Sequence, residues 1–296
     1  MSVDKSMKGK IIKGVGGFYE VAVKDRLYTC KAKGIFRNLQ IKPMIGDDVE
    51  IAVTDEEKSE GSIENILPRK SSLIRPAVSN IDIAILVLAC AKPSPQLYLL
   101  DKYLISMDMQ HIKAALVFNK ADVDAEAAQM YADIYRHSGY DVIITSARDN
   151  TGLNELKTYI KGKTCALAGP SGVGKSSLTN LICPKAAMET GTISRKIERG
   201  KHTTRHSELF VAGEDTYICD TPGFTSVDIS AIEADELKLY MPDIAGYEGK
   251  CRFKGCLHIA EPDCALKEAV SNGEVMKSRY DSYIKIYDEL SKIRRY

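Results

Sequence analysis

The segment Gly169-Pro170-Ser171-Gly172-Val173-Gly174-Lys175-Ser176, with Ser177 behind it, has the spacing of a phosphate-binding loop. Glycines let such a loop turn its backbone N–H groups onto phosphate oxygens at the start of a helix. Lys175 is the candidate partner of β- and γ-phosphate oxygens during catalysis, and Ser176 can offer its hydroxyl to Mg2+. Asp220-Thr221-Pro222-Gly223 follows an apolar stretch at residues 216–219. The Asp220 carboxylate suits the shell of the same Mg2+, and the Gly223 N–H suits a γ-phosphate. Between these motifs lie Thr203 and Thr204. Thr204, directly before Arg205, is favoured as the further magnesium-sensing group. Phe224 stands where many nucleotide hydrolases place a water-orienting Gln, and Phe cannot orient water by hydrogen bonding. His202 is the candidate catalytic replacement; a surface histidine in a basic loop fits the sequence equally well, and a partner-supplied group could also complete the site.

Asn119-Lys120-Ala121-Asp122 ends another apolar stretch. A carboxylate at Asp122 can accept from two guanine N–H groups, a donor pair that adenine lacks, so a buried mismatch there discriminates strongly. The Lys120 stem can cover the base plane. Thr145-Ser146-Ala147 closes the next apolar stretch, and a backbone N–H of Ser146 or Ala147 can reach the guanine O6. The implied ligand is GTP or GDP with Mg2+. The base motif precedes the phosphate loop, the reverse of its place in an ordinary GTPase. Ligand sites in parallel sheets sit at the carboxyl ends of strands, so the chain order can be rotated while the same strands pair. The new break falls just after Gly223. The nucleotide state is therefore expected to bias the position of the C-terminal region, as a lever.

Cys251-x4-Cys256-x-His258-x5-Cys264 is the Cys3His ligand set of a closed, structural zinc site. Four ligands leave no open position, so catalysis by this metal is not expected. The region looks too poor in apolar residues to fold alone, and zinc could contribute about 10–16 kcal/mol. Lys250, Arg252 and Lys254 lie beside the cluster in sequence to offset its thiolates. Reduced, unliganded cysteines are the alternative.

Three kinds of patterning must position these groups. Residues 1–68 read as short strands at 9–23, 27–36, 48–53 and 61–67, punctuated by glycines. Gly14-x-Gly16-Gly17 suits a bulge or sharp bend in the first. A small closed β-barrel of the OB type is expected, a fold that often binds oligonucleotides; from pattern alone a generic barrel fits as well. Residues 69–80 read as a linker opening residues 69–227. There, apolar strands at 81–89, 114–118, 142–145 and 165–168 alternate with helices at 97–109, 125–137, 153–160 and 176–182. That alternation argues a parallel sheet covered on both faces. Residues 228–296 read as a mainly helical zinc domain. A helix is expected at 229–239, and Ser271-x-x-Glu274 reads as a capping box for a terminal helix. Val275, Tyr280, Tyr283, Tyr287, Leu290 and Ile293 would share one face of it.

The chain has 296 residues, with 41 Lys and Arg against 40 Asp and Glu, so bulk charge announces no nucleic-acid partner. Residues 185–206 are locally basic. No apolar run approaches the ~20 residues of a membrane span. A cytoplasmic monomer with no membrane partner is expected, with its eight cysteines reduced. Cys30, Cys90, Cys165, Cys183 and Cys219 read as small buried hydrophobes.

The β-rich start, the rotated order of Asn119–Asp122, Gly169–Ser176, Thr203-Thr204 and Asp220–Gly223, and the Cys251/Cys256/His258/Cys264 spacing together resemble the RsgA (YjeQ/YloQ) family of bacterial circularly permuted GTPases. The likeness spans nearly the whole chain. Gly200-Lys201-His202-Thr203-Thr204 looks like that family's switch segment, with His202 on its proposed catalytic histidine. Arg205 departs from the pattern, standing where many relatives have another Thr, which leaves the switch contact open between Thr203 and Thr204. The resemblance implies an OB-fold, a permuted GTPase domain and a zinc domain. It further implies a GTPase stimulated by the small (30S) ribosomal subunit, acting in late maturation of that subunit and contacting 16S rRNA. Two other classes remain to be weighed: a P-loop metabolic kinase, and a nucleotide-independent RNA-binding scaffold with a relict phosphate loop.

Overall fold

The structure is a computed structural model describing residues 6–38, 41–73, 77–184, 208–220 and 227–293. The chain divides into two compact units. Unit 1 takes Met1–Ala84, Asn154–Ala168 and Lys175–Pro222; unit 2 takes Ile85–Leu153, Gly169–Gly174 and Gly223–Tyr296.

Unit 1 begins with a closed barrel of β1 (Met7–Val15), β2 (Phe18–Val23), β3 (Arg26–Ala32), β4 (Asp48–Asp55) and β5 (Glu60–Ile66), in the order β1-β2-β3-β5-β4. β1 returns to β4, and β3 pairs with β5 in parallel. This is the five-stranded Greek-key path of an OB barrel. Alternation turns Ile11, Val21, Tyr28, Cys30, Val49, Ile51 and Ile63 into its core. The long strand expected at 9–23 is a hairpin: Gly16 and Gly17 both hold positive φ, so the chain reverses there. The strand expected to reach Phe36 stops at Ala32, and Ile35–Asn38 forms the short helix α1.

Residues 69–73 and 77–80, expected as a linker, are bound to the barrel and to each other. Ser72–Leu73 (β6) pairs with Val78–Ser79 (β7), and Leu73 and Val78 are buried. Arg69 clamps buried Asp47 through Nε (2.7 Å) and NH2 (2.9 Å), and the Ser79 hydroxyl donates to the same carboxylate at 2.6 Å.

Also in unit 1, β11 (Thr164–Ala168) lies parallel to β13 (Thr216–Asp220), which pairs antiparallel with β12 (Leu209–Gly213), a strand the pattern reading missed. The start of β8 (Ile83–Ala89) is fixed beside β11: Asp82 N–H donates to Thr164 O, and its carboxylate accepts from Thr164 N–H. Helices α4 (Leu153–Ile160) and α5 (Lys175–Ile182) flank these strands in sequence.

In unit 2 the strand order is β10 (Asp141–Ile144), β9 (Lys113–Asn119), β8, with β10 and β9 parallel. Every residue of β8 is buried, as a strand covered on both faces requires. Helices α2 (Leu97–Met109) and α3 (Ala125–His137) run over the residues expected. The five scattered cysteines are all buried and free, as expected.

The C-terminal residues depart from the pattern. Residues 229–239 form tight turns closed by i to i+3 bonds, ending in a 3-10 helix at Leu237–Tyr240. That path lets Ile229, Ile232, Leu237 and Met241 all reach one core. The capping box is absent, because Ser271 is the last residue of α7 (Ala265–Ser271) and its hydroxyl donates back to Lys267 O. The terminal helix α8 (Lys277–Ser291) starts six residues later, behind the short α6 (Pro242–Ala245) and α7. Its core face holds Tyr283, Ile286 and Leu290, with Ile293 exposed beyond it. This core also takes Ile105 from α2, so it is larger than the local sequence suggests. Among the described residues, no helix is long and apolar enough to cross a membrane.

Candidate nucleotide site and metal centre

Asn119 ends β9 and is 1 % exposed. Its Nδ2 donates to Val173 O in the phosphate loop at 2.8 Å. Its Oδ1 accepts from the Thr145 hydroxyl at 3.1 Å and from Ala147 N–H at 3.2 Å. One side chain thus ties the Asn119–Asp122 loop, the Thr145–Ala147 loop and the Gly169–Gly174 loop together. The sequence reading placed Asn119 on the base; here it holds the three loops in register, and Ala147 N–H points at it. Thr145, which opens the Thr145-Ser146-Ala147 motif, contributes its hydroxyl to this tie as well.

Asp122 is set by Ser146, whose hydroxyl donates to Asp122 Oδ1 at 2.8 Å. Arg148 lies 3.8 Å from Oδ2, and its own side chain is 85 % exposed, so it is a weak, solvent-screened partner. No sequence signal marked Arg148. Lys120 has a positive φ and its ammonium donates to Lys92 O at 2.9 Å, which extends the stem along the loop.

The loop glycines are demanded by contact. A Cβ on Gly169 would lie 2.1 Å from Val87 O, and Gly169 holds φ at +145°. A Cβ on Gly174 would lie 2.3 Å from Asn119 Nδ2. Val173 is buried, while Ser171 and Gly172 are exposed at the tip. Lys175 and Ser176 then open α5, followed by Ser177. In unit 1, Asp220 pairs with Leu167 across the parallel ladder at the end of β13. The Asp220 side chain, His202, Thr203, Thr204 and Gly223 lie outside the described residues.

Replacing Asn119 with Ala removes at least two buried hydrogen bonds at about 1–1.5 kcal/mol each. GDP affinity is expected to fall roughly 30- to 150-fold, measured by displacement of a fluorescent GDP analogue. A wild-type dissociation constant would show that the loops hold themselves.

Cys251, Cys256, His258 and Cys264 do converge: their ligand atoms lie within 4.8 Å of one another. The Cys251–Cys264 and Cys256–Cys264 sulfur separations are 3.8 and 3.9 Å, and His258 Nδ1 lies 3.4 Å from Cys251 Sγ and 3.3 Å from Cys264 Sγ. A tetrahedral zinc with ordinary bond lengths requires about 3.8 Å between sulfurs and about 3.5 Å between nitrogen and sulfur. The residues therefore fit zinc, with Nδ1 as the ligating nitrogen. Burial, then nearby Lys238, holds the His258 pKa below its ordinary value, which favours the neutral, ligating imidazole. Burial pushes the Cys256 thiol up to about 12, so its thiolate needs a bound cation. Around this set, Arg252 is engaged by Asp263 at 2.5 Å. The buried cation beside the cluster is Lys238, whose ammonium donates to Cys256 O at 3.2 Å and pairs with Glu248 at 2.6 Å. Lys238 adds to Lys250, Arg252 and Lys254, the cations beside the cluster in sequence.

A phosphate loop on a parallel strand, tied to an Asn-Lys-x-Asp loop that precedes it in the chain, defines a P-loop GTPase of circularly permuted order. The comparisons with known proteins agree. Residues 66–230 match the RsgA GTPase family model and residues 8–63 match the RsgA N-terminal domain. A small ribosomal subunit biogenesis GTPase RsgA from Agathobacter rectalis is 50% identical, over 98% of this chain and all of its own. That of Alkaliphilus metalliredigens is 46% identical, over 98% of this chain and 99% of its own. Among solved structures, YloQ, a circularly permuted GTPase, matches with a TM-score of 0.80 at 36% identity, over 100% of this chain and 99% of its own. YjeQ from Thermotoga maritima matches with a TM-score of 0.80 at 35% identity, over 98% and 100%. This chain belongs to the RsgA family of GTPases.

Proposed function

We propose that this GTPase is an assembly factor for the small ribosomal subunit, that it contacts 16S rRNA, and that the subunit stimulates its GTP hydrolysis. The full-length relatives carry that biogenesis role in their names. The observation that carries the nucleotide half of the reading is the Asn119 bond to Val173 O, which registers a guanine-reading loop against a phosphate loop. Asp122 accepts from the base, Lys120 covers it, and the Gly169–Ser177 backbone cradles the phosphates with Lys175. Ser176, Thr204 and Asp220 would hold Mg2+, which draws charge from the β- and γ-phosphates when bound. His202 or a group from the subunit orients the attacking water. The Cys3His centre holds one structural zinc. We take residues 1–68, 69–227 and 228–296 as the RNA-binding barrel, the GTPase domain and the zinc domain of a cytoplasmic monomer.

Barrel chemistry supports an RNA partner. Phe18 is 49% exposed, with the Lys31 ammonium 4.9 Å from its ring centroid. An exposed ring beside a cation is suited to base stacking next to phosphate. The kinase and scaffold alternatives lose ground with the family assignment.

Turnover of GTP with and without isolated small subunits tests the proposal. Stimulation is expected, toward the roughly 10^3-fold that a partner-supplied group can provide. Lys175→Ala should abolish it with the zinc content intact. No response to the subunit overturns the assembly reading, and an unaffected Lys175→Ala enzyme overturns the phosphate assignment.

A further inference from the structure

We propose that Arg279, far from the nucleotide loops in sequence, is a positioning residue for the base-reading loop and acts through Tyr135 and Phe118. The inference rests on the reading of Asn119–Asp122 as the guanine loop.

Arg279 sits on α8 and is 1 % exposed. Its Nε and NH2 donate to the two oxygens of Asp243 on α6, at 3.0 and 2.9 Å. Its NH1 donates to Asp101 Oδ1 on α2. Burial opposes its charge, but Asp101 and Asp243 outweigh that and hold the guanidinium protonated. The same carboxylates reach the end of α3. Tyr135 OH donates to Asp101 Oδ1 at 2.9 Å, and the Ser138 hydroxyl donates to Asp243 Oδ2 at 2.9 Å. The guanidinium also lies on the Tyr135 and Tyr140 rings, 5.4 and 5.5 Å from their centroids.

From Tyr135 the path to the site is short. The Tyr135 ring packs on Phe118, centroid to centroid 6.1 Å, and both are fully buried. Phe118 is bonded to Asn119, the residue that ties the loops together. Asp124 caps the other end of α3 by accepting from Ala127 N–H at 2.9 Å, two residues beyond Asp122. Arg279 therefore sets one end of α3 and the ring that packs on Phe118, the residue next to Asn119 in β9. All these residues lie in one compact unit.

A buried ion cluster is weak evidence for stability, because well-packed apolar groups of similar volume often serve as well. What a planar fork adds is direction: it fixes two carboxylates and two rings at once, which a point charge cannot do.

Arg279→Lys keeps the charge and loses the fork and the stacking. The measurements are GDP dissociation constant, GTP KM and kcat, melting temperature and zinc content. Expected are a GDP dissociation constant and a GTP KM raised roughly 5- to 20-fold, with kcat within about twofold and zinc retained. Tyr135→Leu, which leaves the ion cluster charged, should reproduce the split, and Tyr135→Phe should show far less of it. Should Arg279→Lys fail to fold, the charge-compensated Asp101→Asn/Asp243→Asn/Arg279→Met variant and Tyr135→Leu carry the test. Wild-type affinity and KM in the folded variants overturn the proposal, as does an equal fall in kcat. Asp122→Asn run in parallel separates the two readings: if it fails to switch base preference the guanine assignment is at fault, whereas a switch with an unaltered Arg279→Lys enzyme sinks only the positioning role.

Discussion

Asp122→Asn is expected to turn this enzyme from guanine towards xanthine nucleotides. A carboxylate accepts both the N1–H and the exocyclic N–H of guanine. An amide in its place offers a donor, which suits the C2 oxygen of xanthine and clashes with the guanine amino group. A site built around a buried hydrogen-bonding pair rejects the mismatched partner by about 10^4-fold. The Asp122 side chain is 14 % exposed, although the residue's backbone lies at the surface, and the Ser146 hydroxyl fixes one of its oxygens, so a bound base would complete the burial. Competition of GDP and XDP for a fluorescent analogue reads the ratio directly. An unaltered preference for guanine would place the base elsewhere.

The second large effect concerns the metal centre. Cys264→Ser, or a strong chelator acting on the wild type, is expected to melt the C-terminal module. Cys256 and Cys264 are buried inside the same core as Leu266, Tyr283 and Ile286. Without a cation, three thiols and an imidazole sit close together with little to bind them. A structural zinc contributes about 10–16 kcal/mol at neutral pH, as much as or more than the 5–15 kcal/mol net stability of a typical domain. The sign of the pH dependence follows. Acidification protonates the ligands and releases the metal, so stability conferred by zinc falls as pH drops. Zinc content by atomic absorption and helicity by circular dichroism, before and after chelation, check this. Helicity that survives complete metal loss would show that the apolar core, including Ile105 from α2, suffices alone.

Motifs and strongly periodic elements were readable in order along the chain. Helices at 97–109 and 125–137 have the bounds that their apolar spacing implies, because their burial pattern follows their own sequence. The errors fall where distant partners override local preference. Residues 229–239 carry a helix-like spacing, yet the shared core takes Ile229, Ile232 and Leu237 through turns. Ser271 and Glu274 have capping-box spacing, yet α7 runs on to Ser271. The two ends of the supposed linker, at Arg69 and Ser79, are bound because buried Asp47 needs both to satisfy it.

The sequence by itself determined which side chains are available for chemistry: a phosphate-loop motif, a carboxylate suited to guanine and a Cys3His set suited to zinc, each carried by residue types that few other roles require. Local spacing suffices for these because the ligands they suit have fixed geometry. Only the tertiary structure decided how the groups are held. Asn119 as the tie between loops, Lys238 on the Cys256 backbone oxygen, and Arg279 under Tyr135 all join residues far apart in the chain. Such pairings depend on burial, where a polar group must find whichever partner the fold brings to it, and no local pattern encodes that choice.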